Sequence, residues 1–298
     1  MHFSPTVSRC AIRRFARIIG LLALLAVLQA CSAVKLSYNN APELLVWWLD
    51  GYVDFDDAQT IRLRSELATF QQWHRQSELP RYADSLQRIA QSVPGSLTGA
   101  AACEIAAEVR SNIDRVVAQA EPGAAALALT LEPAQLQQIQ RKFAKGNAEF
   151  RSKWLEGAPA DIAARRLEQS QERLERAYGS LSEAQKELLR QQLAASMLSA
   201  PTAYAERLRR QQDVLETLQK IATDKPPLPA VRESLRGIAQ RTLHTGNAAY
   251  RSYSNALQRE GCANFAAFHN STTPAQRETA VLRLRGYEKD LRELASKP

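Results

Sequence analysis

The sequence is poor in the residues from which catalytic and cofactor sites are usually built. It holds four histidines, four cysteines, two methionines and 12 glycines in 298 residues. It contains no H-E-x-x-H metal motif, no glycine-rich phosphate loop and no G-x-S-x-G nucleophile elbow. No cysteine lies in a C-x-x-C arrangement, which removes the usual basis for dithiol redox catalysis. No segment sustains the period-two alternation of a half-buried strand, whereas apolar spacing is helical almost throughout. The expectation is an all-α protein of antiparallel hairpins, bundled or elongated, with no catalytic residue, cofactor or metal.

The first thirty residues are of another kind. A basic stretch with Arg9, Arg13, Arg14 and Arg17 and no acid precedes an apolar run from Ile18 to Leu28, then Gln29-Ala30-Cys31. That is the order of a secretory signal, with an apolar run of 11 residues, too short for a bilayer core of about 30 Å. Leu28-Gln29-Ala30-Cys31 resembles a bacterial lipobox, in which the cysteine thiol is acylated and becomes the new N-terminus. Ser32 follows where an aspartate would mark inner-membrane retention, so the expected location is the outer membrane, facing the periplasm. The expected organisation is a signal peptide over 1–30, a lipidated tether over 31–41 and a helical periplasmic domain over 42–298, with membrane lipid met through acylated Cys31.

Removing the signal leaves 35 basic residues against 31 acidic. That balance is too mild for nucleic-acid binding, although a basic face could meet an anionic envelope polymer. Cys103 and Cys262 are then the remaining thiols. In an oxidising compartment an even pair reads as a disulfide closing a loop of about 160 residues, worth about 4–5 kcal/mol in the chain-entropy model. Two separate buried thiols are the alternative.

Prolines at 42, 80, 94, 122, 133, 159, 201, 226, 227, 229 and 274 are expected to begin or end helices. Stripes such as Leu63/Leu67/Phe70/Trp73 and Leu136/Ile139/Phe143/Phe150 mark core faces. Residues 224–229 (DKPPLP) read as a linker, followed by a long helix to about Leu257. Four helix starts share one pattern, FDDAQ at 55–59, LEPAQ at 131–135, LSEAQ at 181–185 and TTPAQ at 272–276. Asp56, Ser182 and Thr273 are good N-caps and Glu132 a poorer one. The pattern resembles the L-T-x-x-Q motif of small helical periplasmic stress chaperones.

GNAEFRS (146–152) recurs as GNAAYRS (246–252). Asn147 and Arg151, and Asn247 and Arg251, are placed by spacing on apolar stripes, where each pair needs acceptors from a neighbouring helix. A register-fixing polar contact is preferred over a ligand cleft.

His74 and Glu78 lie one helical turn apart, and with Asp50 they offer an enzyme-like alternative, although two ligands make no zinc site. Asp50, Asp54, Asp56 and Asp57 miss the order of a calcium loop. Trp47 and Trp48, about 100° apart on a helix held near the bilayer by a short tether, could place one ring in the core and one at the interface. Packing of both rings on the body is the alternative. Together with Asp50, Trp73, His74 and Glu78 they are the candidate contacts to membrane or partner.

CSAVKLSYNNAPELLVWWLDGYVDFDDAQ, WHRQSELPRYADSL and ERLERAYGSLSEAQ resemble an uncharacterised family of proteobacterial lipoproteins with a Y-N-N-x-P…WWLD-x-Y-x-D-F signature. The resemblance implies a lipid-anchored helical envelope protein and carries no activity. The expected role is therefore non-enzymatic binding of another envelope protein or polymer, chaperone-like or scaffolding. A tether to peptidoglycan or lipopolysaccharide through Arg207, Arg209 and Arg210 is a further alternative.

Overall fold

The computed structural model describes residues 33–296, and these are helical apart from short connectors. A helical segment over 33–39 leads into α1 (Ala41–Val53) and α2 (Asp57–Trp73). A π-helical turn over His74–Glu78 joins α2 to α3 (Leu79–Ser92). Then follow α4 (Gly99–Ala128), α5 (Pro133–Trp154), α6 (Pro159–Tyr178), α7 (Glu183–Ala195), α8 (Ala200–Asp224), α9 (Leu228–Leu243), α10 (Ala248–Asn270) and α11 (Pro274–Ala295). The all-α expectation holds. The signal, Cys31 and Ser32 lie outside the described residues.

The thirty-residue α4, about 45 Å long at 1.5 Å per residue, packs against α2, α8, α9 and α10, while α3 runs along α11. Apolar side chains gather in three clusters. Val93, Tyr178, Leu189 and Phe268 tie α6, α7, α10 and α11 to the end of α3. Ala125, Ile221 and Val231 join α4, α8 and α9, and Leu131, Leu136 and Ile139 fill the space below α1 and α8. Cys103 and Cys262 form a disulfide, with 5.3 Å between Cα atoms, that fastens α4 to α10.

The prolines do not all break helices. Pro122 lies inside α4. It is exposed, as is Ala118 one turn earlier, so the carbonyl that loses its donor faces water. Pro80 lacks an N–H too, and the ladder slips by one residue just before it. The Leu79 N–H reaches back to His74 O, five residues away, which makes the π turn and lets one helical path run from 57 to 92. Helix α1 passes through Gly51 and closes at Asp54, whose left-handed φ of 62° an aspartate tolerates. The expected linker at 224–229 is a corner between packed helices. Lys225 takes a left-handed φ of 44°, and its Nζ donates to Leu129 O (3.0 Å). The long helix expected to reach Leu257 is interrupted at 244–247, because Asn247 turns its side chain to accept from Tyr250 N (3.0 Å) and starts a new helix.

The four helix starts meet in pairs. Gln59 Nε2 donates to Gln135 Oε1 (3.1 Å) and Gln135 Nε2 donates back to Gln59 Oε1 (2.6 Å). Gln185 and Gln276 exchange the same two bonds at 2.8 and 3.0 Å. Each amide nitrogen also donates across the pair to a carbonyl ahead of the opposite helix: Thr130 and Asp54 in the first clamp, Ser271 and Ser180 in the second. Each amide oxygen accepts in addition from the backbone N–H of its own cap residue, Asp56, Glu132, Ser182 or Thr273. Both donors and both acceptor sites of every amide are thus used. Glu132 is no obstacle, because the part of the cap that matters here is its backbone N–H.

Glutamate at this third helical position would cap its own helix as well as glutamine does, and would suit the helix dipole by about 0.3–1 kcal/mol. It has no N–H to give across the pair, however. Gln185→Glu is therefore expected to lower stability by about 1–2 kcal/mol, since the Ser271 carbonyl and the Gln276 oxygen lose their donor. Urea unfolding measures this, and an unchanged or raised midpoint would show that capping alone is at work.

Candidate functional site

Helix α1 needs only one buried side chain, Val46, to seat it on the body. Its other side carries Leu44, Trp47 and Trp48, which are 55%, 76% and 51% exposed, and Leu36 in the preceding segment is 65% exposed. Neither tryptophan enters the core, so both the expected division of one ring in and one ring out and the packing of both rings fail. The reason is rotation: Val46 occupies the inward direction and leaves both rings on the outer side. Trp48 leans on Tyr52 with ring centroids 4.8 Å apart, and Tyr52 in turn meets the edge of Phe143 at 6.4 Å.

The segment read as a short tether is helical over residues 33–39. Lys35 Nζ lies 2.6 Å from Glu293 and 3.4 Å from the buried carboxylate of Asp290, pinning residues 33–39 to α11. Gln71 Nε2 donates to Tyr38 O (2.7 Å), and Arg75 donates to Asn39 Oδ1 (3.1 Å) while lying over the Tyr38 ring. The distance from residue 33 to Trp47 is thus limited to about 20 Å, at 1.5 Å for each helical residue.

The π turn places His74 under this segment. Its Nδ1 lies 3.1 Å from the Tyr38 hydroxyl, and the rings of Tyr38, Phe70, Trp73 and Tyr82 surround it with centroids 5.5–6.2 Å away. Burial among these rings lowers the His74 pKa below its ordinary value, partly opposed by the charge of Glu78. A crevice of about 170 Å³ opens beside it, lined by Tyr38, Pro42, Leu45, Leu67, Phe70 and His74. Trp73 itself is half-buried against Phe70.

Glu78 and Asp50 do not join this crevice. Glu78 is 2% exposed and accepts from Arg115 Nε and Nη2 at 3.0–3.2 Å, so its carboxylate is held by a guanidinium from α4. Asp50 accepts from Phe55 N (2.9 Å) and closes the turn between α1 and α2. Asp56 caps α2 and accepts from Gln59 N (2.8 Å). The three members of the enzyme-like cluster are therefore committed to three separate tasks. Among the described residues no group of three or more His, Cys, Asp or Glu could hold a metal ion.

The twin sequences at 146–152 and 246–252 adopt different structures. Asn147, 8% exposed, donates to Gln211 Oε1 (2.7 Å) and accepts from Arg207 Nε (2.7 Å), joining α5 to α8. Arg151 reaches the Tyr204 hydroxyl (3.1 Å) and Glu156 (3.2 Å) at the surface. Asn247 is a helix cap, not a buried contact, and Arg251 donates to Thr245 O (3.2 Å) within the same turn. The arginines of the expected basic face are engaged within the molecule: Arg207 donates to Asn147, and Arg209 and Arg210 both bind Glu206 at 2.8 Å.

Several of these partners escaped the sequence. Tyr38, Gln71 and Arg115 carry the site, and nothing in their local spacing marks them. They are recruited across 33 to 37 residues of chain. The acids were visible as a cluster, but the guanidinium that engages Glu78 comes from another helix.

Two expectations follow. Because His74 is held neutral, protonating it opposes folding, and its contribution is present above the unfolded value near 6.5 and lost as pH falls below it. Urea midpoints should fall more steeply below pH 6.5 in the native chain than in His74→Gln; parallel curves would show that His74 is not the group responsible. Asn147→Leu, which leaves Arg207 and Gln211 without their partner, should cost about 1–3 kcal/mol in the same measurement.

No curated protein and no solved structure matches the chain. A family model does, over residues 51–238, which includes the first glutamine clamp, the π turn and Arg115 but begins just after the tryptophan pair. With well over half of its length matched, the chain belongs to the family described as "Family of unknown function (DUF6279)".

Proposed function

We propose that the protein is a lipid-anchored outer-membrane lipoprotein, non-enzymatic, whose helical body stands on the bilayer through the outer side of α1 and binds another envelope component as a scaffolding or chaperone-like factor. The observation that carries this reading is the position of the exposed Leu36, Leu44, Trp47 and Trp48 directly after Cys31. Two tryptophans at 76% and 51% exposure are unusual in water and suit the headgroup region, where an apolar ring with a polar N–H is at home. The folded, pinned segment over 33–39 supports it further, because it keeps that face close to the point of acylation. None of the described helices is long and apolar enough to cross a membrane, and in this reading the acyl chains and this face together supply the attachment.

The experiment has two readings. Mass spectrometry of the protein isolated from cells should find acyl groups on Cys31, and Cys31→Ala should carry none and miss the outer-membrane fraction. The acylated protein in vesicles containing brominated lipid should then show quenched tryptophan emission, and the quenching should be largely lost in Trp47→Tyr/Trp48→Tyr, which keeps Trp73 and Trp154. Absence of acylation overturns the anchor. Full emission from the native chain overturns the membrane-facing role of α1.

A further inference from the structure

Far along the chain from α1, the end of α3 with α4, α6, α10 and α11 lines a partly open cavity of about 320 Å³, near the lower end of the about 300–1,000 Å³ typical of small-molecule pockets. Its walls are apolar, with Ile89, Val93, Ile105, Ala177, Phe265 and Leu284 among them. Phe265 and Tyr287 remain 42% and 49% exposed at its side. The polar atoms inside are already engaged. The Tyr178 hydroxyl lies 2.8 Å from His269 Nδ1, and His269 Nε2 lies 3.0 Å from Gly95 O. Since a carbonyl can only accept, Nε2 carries the proton, Nδ1 is the acceptor and Tyr178 donates to it. Burial raises the Tyr178 pKa to about 12, so this donor keeps its proton. Ser92 Oγ donates to Ile89 O (2.9 Å), so none of these side chains has an unused donor to offer a ligand.

The lining carries charge of one sign only. Arg173, Arg176 and Arg283 belong to it, and no acid does. Arg283 donates to the carbonyls of Glu175 and Arg176 at the end of α6 and has no carboxylate partner among the described residues. Arg176 has a loose, exposed pair with Glu172 at 3.8 Å. Arg173 has neither an ion pair nor a hydrogen bond among the described residues, and it is exposed.

We propose that this cavity binds a single-chain amphiphile with an anionic head, the hydrocarbon lying on Val93, Ala177 and Leu284 and the head meeting the guanidinium groups of Arg173 and Arg176. A hydrocarbon chain is the occupant because it brings no polar group that the engaged interior would leave unsatisfied, whereas a buried peptide would bring unpaired amides. The anionic head follows from charge complementarity at a rim with three cations. The small volume admits one chain in preference to a diacyl lipid. A fatty acid and a lysophospholipid share this chemistry, and the experiment separates them.

The test is photolabelling of the full chain in its membrane with a diazirine-bearing palmitate, followed by mapping of the labelled residues by mass spectrometry. Label is expected on α10 and α11 near Phe265 and Tyr287, and it should fall about ten-fold in Arg173→Glu/Arg176→Glu, whose exposed positions leave the core intact. Melting curves confirm that the variant is folded. A diazirine-bearing hexadecanol, with the same chain and no charge, should label weakly. Competition by palmitate alone identifies a fatty-acid site, and stronger competition by lysophosphatidylglycerol a lysolipid site. Three outcomes overturn the proposal: label confined to Trp47 and Trp48, which reports only bilayer contact; equal labelling of native and variant chains; or displacement by an acidic peptide at lower concentration than by either lipid. The outcome is independent of the reading of α1, since label at α10 and α11 can appear or fail whether or not α1 touches lipid.

Discussion

Two pairs of helices in this fold are set in register by a side-chain amide that faces another of its kind. A helix start ordinarily leaves backbone N–H groups to be satisfied locally, by a cap from its own chain segment. Here each start does that and also lends its third residue to a second helix, so that Gln59 with Gln135, and Gln185 with Gln276, hold two chain segments 76 and 91 residues apart in one register. A buried polar group is costly when any of its valences is open, and because all four are closed here the contact is specific: a slip of one residue in either helix opens several at once. The apolar clusters could tolerate some sliding; the clamps could not. The Val93–Phe268 cluster packs beside the second clamp, and the Leu131–Ile139 cluster beside the first.

The fold class was legible because helical periodicity is a local property, and so were most helix starts, whose cap residues announce themselves. What capping alone left unexplained was the identity of the third residue. Glutamate fills that place in an ordinary capping box as readily as glutamine. Four glutamines and no glutamate at 59, 135, 185 and 276 are therefore a sign that the N–H₂ has a task beyond its own helix, although the sign does not say which start pairs with which. Pro122 went wrong for an opposite reason, whereas Pro80 does stand at the start of α3. Proline removes a donor, and whether that breaks a helix depends on where the orphaned carbonyl points, which is a matter of tertiary placement.

The candidate site was legible in part. Trp47, Trp48 and His74 stood out as residue types, and the structure leaves the first two exposed and surrounds the third with rings. The acids around them looked like potential chemistry only while their partners were unknown. A guanidinium from α4 on Glu78, and a backbone N–H on Asp50, convert them into structural elements. The lesson of the twin GNA sequences is similar. Identical letters make a buried cross-link at 147, where Arg207 and Gln211 await, and a helix cap at 247, where the backbone N–H of Tyr250 and the hydroxyl of Thr245 meet it.

The disulfide has a consequence for the order of assembly. A chain that emerges N-terminus first presents Cys103 long before Cys262, 159 residues later. By then Gln59 and Gln135 have both emerged and their clamp has everything it needs to close, whereas Gln276 is still to come. In order of emergence Cys262 therefore stands between the two clamps. The thiol on α4 has its partner on α10 only after every residue of the first clamp is available, and before the second clamp is complete.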